Sequence, residues 1–91
     1  MFNWYKFKEE IDDAPNSEGV YFLSESESEE GIIYIGRADD LNDRISQHPD
    51  PNNHCLQRKS IRYFAFEETF DPERREEALI KKYDPECNHT N

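Results

Sequence analysis

Five side chains of this chain have types and spacing that could cut a phosphodiester: Tyr21, Tyr34, Arg44, His48 and Glu76. Arg44 and His48 stand four residues apart, one turn of a helix, and would lie one above the other on its face. Such a constellation offers a hard carboxylate for a metal ion, a fixed positive charge for a developing phosphoryl charge, and hydroxyl or imidazole groups to activate water. Taken singly, each has a plainer reading. The tyrosines suit a buried strand, Arg44 a solvated helix surface, His48 a helix end, Arg37 a strand end, and Glu76 an early helical turn that favours negative charge. The combination is more specific than any member.

The elements that must position these residues are legible from periodicity and turn residues. GVYFL at 19–23 and GIIYIG at 31–36 are apolar on both alternating faces, as central strands are, and the acidic SESESEEG at 24–31 reads as the loop of the hairpin joining them. Tyr21 and Tyr34 then share a face if the register pairs them. Asp39 or Asp40 is an N-cap for a helix with Leu41 and Ile45 on its apolar stripe, and PDPNN at 49–53 ends it. IRYFAFEE at 61–68 is a third strand. Asp71 and Pro72 start a last helix that runs to about Tyr83, with Pro85 beyond it. In that helix Leu79, Ile80 and Tyr83 define the apolar stripe, Glu76 falls on its edge without a helical partner, and Glu77 pairs with Lys81 outside. At the N-terminus Phe7 and Ile11 suggest a short helical turn before Pro15. The expected architecture is α+β: a small three-stranded antiparallel sheet flanked by helices, with residues 1–91 as a single domain.

Composition narrows the class. Twelve aromatic residues in short clusters can build a core although 35% of the chain is charged. No apolar run reaches bilayer length and the N-terminus lacks a secretory pattern, so a cytoplasmic protein without membrane contact is expected. Cys55 and Cys87 are expected to stay thiols in a reducing compartment. His54, Cys55, Cys87 and His89 lack the spacing of a zinc site. The net charge of −10 opposes a grip on phosphates. Either the basic residues gather on one face, with QRKSIR at 57–62 (Arg58, Lys59, Arg62) joining Arg37 and Arg44, or the acidic coat suits high salt.

GVY at 19–21, YIG at 34–36, RADDLNDRISQH and EEALIKKYDPECN resemble the motifs of the GIY-YIG endonuclease domain, which occurs in homing endonucleases, some restriction enzymes and the nuclease module of bacterial nucleotide-excision repair. The resemblance covers nearly the whole chain; Val20 is a conservative departure. It implies a DNA repair-type endonuclease in which Glu76 holds one Mg²⁺ or Mn²⁺, Tyr21 with Tyr34 orients or deprotonates the attacking water, and Arg44 stabilises the phosphoryl charge. It also implies that His48 and Arg37 assist and that Asn88 braces the site from behind. An ordinary tyrosine, with a pKa of about 10, would need the metal or the arginine to lower it. Family members generally append a DNA-binding domain for which 91 residues leave no room. Targeting is therefore expected from a branched or flap DNA shape, a partner protein or self-association; the oligomeric state is open. The alternative is a GIY-YIG-like domain that no longer cuts and binds protein or nucleic acid.

Overall fold

Strand β2 (Gly19–Ser24) is buried at every position, because it runs through the middle of the sheet with helices over both faces. The computed structural model describes residues 2–89. On one side β2 pairs antiparallel with β3 (Ile32–Ala38), and on the other with β4 (Tyr63–Glu68). A fourth strand, β1 (Tyr5–Lys6), adds to β4, giving the order β1-β4-β2-β3.

The sheet therefore has four strands where three are expected. The N-terminal segment is extended because its aromatics follow period two. Phe2 and Trp4 pack with the cluster of Val20, Phe22, Ile35 and Ala65, whereas Tyr5 and Phe7 pack with Tyr21, Leu23 and Phe64 on the other face. That alternation outweighs the Phe7–Ile11 spacing, and only a single 3₁₀ turn, Ile11–Asp13, remains of the expected helix.

Helix α1 (Leu41–Ser46) starts at Asp40, whose side chain accepts from the Asp43 N–H at 3.0 Å. Asn42 anchors it by donating to the Ile11 and Ala14 carbonyls, each at 3.0 Å. A short helix α2 (His54–Gln57), capped by Asn53, follows the proline-rich turn. Helix α3 (Pro72–Tyr83) has Asp71 as its cap and ends at Asp84 in the left-handed region with φ 48°. It covers one face of the sheet through Leu79, Ile80 and Tyr83, while Leu41, Ile45 and Leu56 cover the other. Cys55 and Cys87 form a disulfide, with Cα atoms 5.3 Å apart, that ties α2 to the 3₁₀ turn Glu86–Asn88. This corrects the expected pair of thiols: the fold returns the chain after α3 to the face where α2 lies, and a separation of 32 residues says nothing about that return. No described helix is long and apolar enough to cross a membrane.

Candidate active site

The register sets the tyrosines. Tyr21 lies opposite Gly36 and Leu23 opposite Tyr34, so Tyr21 and Tyr34 are diagonal neighbours on one face, with ring centroids 6.2 Å apart. A Cβ on Gly36 would fall 2.5 Å from both Cζ and the hydroxyl oxygen of Tyr21. The hydroxyl end of the Tyr21 ring thus occupies the space that a side chain at position 36 would take, so a residue without one fits there. This is the steric reason for a glycine there, which sequence spacing alone does not show.

Helix α1 brings up the next two groups. It is shorter than expected, so His48 lies beyond its end, its N–H bonded to the Ile45 carbonyl at 3.2 Å. Its Nε2 nevertheless shares a hydrogen bond of 2.6 Å with the Tyr21 hydroxyl, and its ring is 5.6 Å from that of Tyr34. His48 Nδ1 is buried with no hydrogen-bond partner. Burial lowers the His48 pKa to about 4, with the Arg44 charge acting in the same direction and Asp50 opposing both. His48 is thus a neutral imidazole at pH 7.

Burial also raises the Tyr21 pKa, assisted by Tyr34 and Glu76, and the neighbouring Arg44 only partly offsets this. The expectation that a cation lowers a tyrosine is met in direction by Arg44 and reversed in the net. Tyr34 is raised for the same first reason, with Glu76 adding to it and Arg44 opposing.

Glu76 reaches the site from α3 across the edge strand β3. Its side chain is 21% exposed and pairs with Arg37 at 3.7 Å, while Arg37 also meets the exposed Glu73 at 3.7 Å. The partner that Glu76 lacks within its own helix is therefore a strand residue. Burial raises the Glu76 pKa, Arg37 opposes, and Glu73 adds to the rise. Asn88 closes the rear: its Oδ1 accepts from the Ile35 N–H and its Nδ2 donates to the Ile35 carbonyl, both at 2.9 Å. It grips the strand one residue from Tyr34 and one from Gly36.

The structure brings together Tyr21, Tyr34, Arg44, His48, Glu76 and Arg37. In front of Arg37 and Arg44 opens a groove of about 560 Å³, whose other walls include Asp39, Asp40, Asp43, Asp71 and Glu73. Arg58, Lys59 and Arg62 do not line this groove. Arg62 bonds Ser24 at the far end of β2, four residues or about 13 Å along the strand from Val20, the partner of Arg37. Lys59 is paired with Glu86 at 2.9 Å. Of the remaining cysteine and histidine side chains, the two cysteines are bonded to each other and His89 pairs with Asp84.

Among the described residues no three His, Cys, Asp or Glu side chains converge on a metal position. A cation here would rest on Glu76 alone and keep most of its water, the habit of Mg²⁺. Glu76 fits that role, since among the described residues one long ion pair, with Arg37, balances its half-buried carboxylate.

Comparison with curated proteins by sequence finds no match. Among solved structures, the chain is similar to the GIY-YIG N-terminal endonuclease domain of UvrC from Thermotoga maritima bound to its catalytic divalent cation, magnesium. That match has a TM-score of 0.73 and 26% identity over 90% of this chain and 94% of the other. Two point mutants of the same domain, each bound to the catalytic cation, match with TM-scores of 0.65, at 26% and 25% identity, over 92% of this chain and 96% of theirs. A family model described as the GIY-YIG catalytic domain covers residues 17–91. The chain belongs to the GIY-YIG catalytic-domain family and is a nuclease domain.

Proposed function

We propose that this domain is a metal-dependent DNA endonuclease that hydrolyses phosphodiester bonds, directed by DNA structure or by a partner protein. The observation that carries the proposal is the Tyr21–His48 hydrogen bond of 2.6 Å, set between Arg44 and Glu76. Glu76 would hold the cation, Mg²⁺ or Mn²⁺, which when bound supplies Lewis-acid polarisation of a phosphate oxygen.

The remaining chemistry belongs to the chain itself. Burial disfavours a standing phenolate on Tyr21, so the hydroxyl serves as a conduit rather than a store of charge. Neutral His48 takes up the Tyr21 proton at Nε2, which frees the phenol oxygen to accept a proton from the attacking water. Proton uptake by His48 is costly first because its ring is buried, and the Arg44 charge adds to that cost more than Asp50 relieves it. A phosphate brought against Arg44 offsets that charge and raises the basicity of His48 at the moment it is needed. Arg44 itself, exposed toward the groove, supports the phosphoryl charge. Tyr34 orients the water from the same face, Arg37 holds Glu76 in place, and Asn88 fixes the strand that carries Tyr34 and Gly36.

A second reading, a binding module without cleavage, is favoured by five carboxylates on the walls of the groove. Incubation with linear, flap and branched DNA in Mg²⁺ or Mn²⁺, at low and high salt, separates the two. Cleavage that Glu76→Ala and Arg44→Ala both abolish supports the nuclease. Folded variants, no cleavage under any condition and no metal-induced NMR shift near Glu76 would transfer the assignment to the binding module.

A further inference from the structure

Among the described residues Phe70 is the one large apolar side chain left in solvent, at 99% exposure. The fold gains nothing from it there, since a phenylalanine contributes to stability by leaving water. Its loop is tied on both sides of the ring by backbone and capping hydrogen bonds. The Thr69 N–H donates to the Glu18 carbonyl at 3.4 Å, the Asp71 N–H to the Thr69 hydroxyl at 3.3 Å, and the Asp71 carboxylate caps α3 through the Arg74 N–H at 3.4 Å. Pro72 then fixes the first helical position. The ring is thus presented to solvent between two pinned residues. The next three residues, Asp71, Pro72 and Glu73, form one wall of the groove that holds Arg37 and Arg44.

We propose that Phe70 is a stacking platform for an unpaired base of the substrate strand, and so a specificity-determining residue that favours DNA with single-stranded nucleotides beside the bond to be cut. The proposal rests on the reading of the Arg37–Arg44 groove as a nucleic-acid path. Glu18 and Glu68 line the surface beside Phe70, so what this loop offers a strand is a ring for the neutral face of a base and not a charge for a phosphate. Aromatic stacking requires no positive charge and tolerates any base, which makes it the grip available to a chain with a net charge of −10.

The test uses the full chain carrying Glu76→Gln, which allows binding in Mg²⁺ to be followed without cutting. The probes are a short single strand containing 2-aminopurine and the same sequence as a full duplex. Expected is a change in 2-aminopurine fluorescence on the single strand, with affinity reduced roughly 5- to 150-fold by Phe70→Ala and retained by Phe70→Trp. Affinity for the duplex is expected to be indifferent to either change. Equal single-strand affinity for Phe70→Ala, an equal loss on the duplex, or no binding of the single strand by the parent would each overturn the proposal. Because the readout is binding, the two readings separate. A wild type that cuts nothing while Phe70-dependent stacking persists would remove the nuclease and leave the platform. Cutting without Phe70-dependent stacking would remove the platform alone.

Discussion

Adding one methyl group at Gly36 should disable the site through Tyr21. In Gly36→Ala the new Cβ would lie 2.5 Å from Cζ and the hydroxyl oxygen of Tyr21 and 2.8 Å from Cε2. Comfortable contact is about 3.5–4.0 Å, so the ring must retreat by about 1 Å. Tyr21 is fully buried, and its hydroxyl stands 2.6 Å from His48 Nε2, so a shift of that size displaces the hydroxyl from the position in which it meets its partner. Overpacking of a close-packed interior costs about 1–3 kcal/mol and the lost hydrogen bond about 1 kcal/mol more. Misplacing a catalytic group by this distance costs about 100-fold in rate. Urea denaturation measures the first effect and the rate of DNA nicking the second. Combining Gly36→Ala with Tyr21→Leu should restore most of the stability without restoring activity, because the smaller side chain vacates the space the methyl needs. If Gly36→Ala were as stable and as active as the parent, the ring would not depend on that glycine and the steric argument would be wrong.

Two further outcomes follow from the same packing. His48 faces Tyr21, Tyr34, Arg44 and Asp50, and its pKa is lower in the fold, about 4, than the ordinary 6.5, so the unfolded chain takes up the proton first as the pH falls. Its contribution is intact above about pH 7 and is lost between about pH 6.5 and 4, at no more than about 1.4 kcal/mol per pH unit. The stability difference between wild type and His48→Gln, read from urea midpoints, should therefore shrink across that window, and a constant difference would refute it. Replacing Cys55 and Cys87 by serine opens a 32-residue loop and should cost about 3–4 kcal/mol. Identical urea midpoints for the wild type with and without reductant would count against a stabilising bond.

Much of the site could be read from local chemistry. Asp71 followed by Pro72 marks the start of α3, and Tyr83 before Asp84 and Pro85 marks its end, because capping is a property of neighbouring residues. Tyr21 and Tyr34 share a face because alternation fixes which side of a strand each residue takes once the hairpin forms. The pairings across elements were not legible. Nothing near Glu76 in the chain points to Arg37, nothing near Cys55 points to Cys87, and the two-residue strand at Tyr5 competes with a helical spacing that involves Phe7 and Ile11. The four-residue spacing from Arg44 places His48 on α1, whereas His48 follows it, since the turn at Pro49 and Asp50 ends the helix early. The seat of Tyr21 on Gly36 depends on register and ring orientation together, which a linear pattern does not carry.

The grip of Asn88 on Ile35 bears on a different hazard. β3 is an outermost strand, and its free edge presents backbone groups able to recruit another chain into a growing sheet. At Ile35 the side-chain amide of Asn88 fills both the donor and the acceptor, imitating one residue of a neighbouring strand without offering an edge of its own. The residue that steadies β3 thereby also blunts it against intermolecular addition. In this architecture, protection of the sheet edge and alignment of the strand that carries Tyr34 and Gly36 are carried by the same two hydrogen bonds.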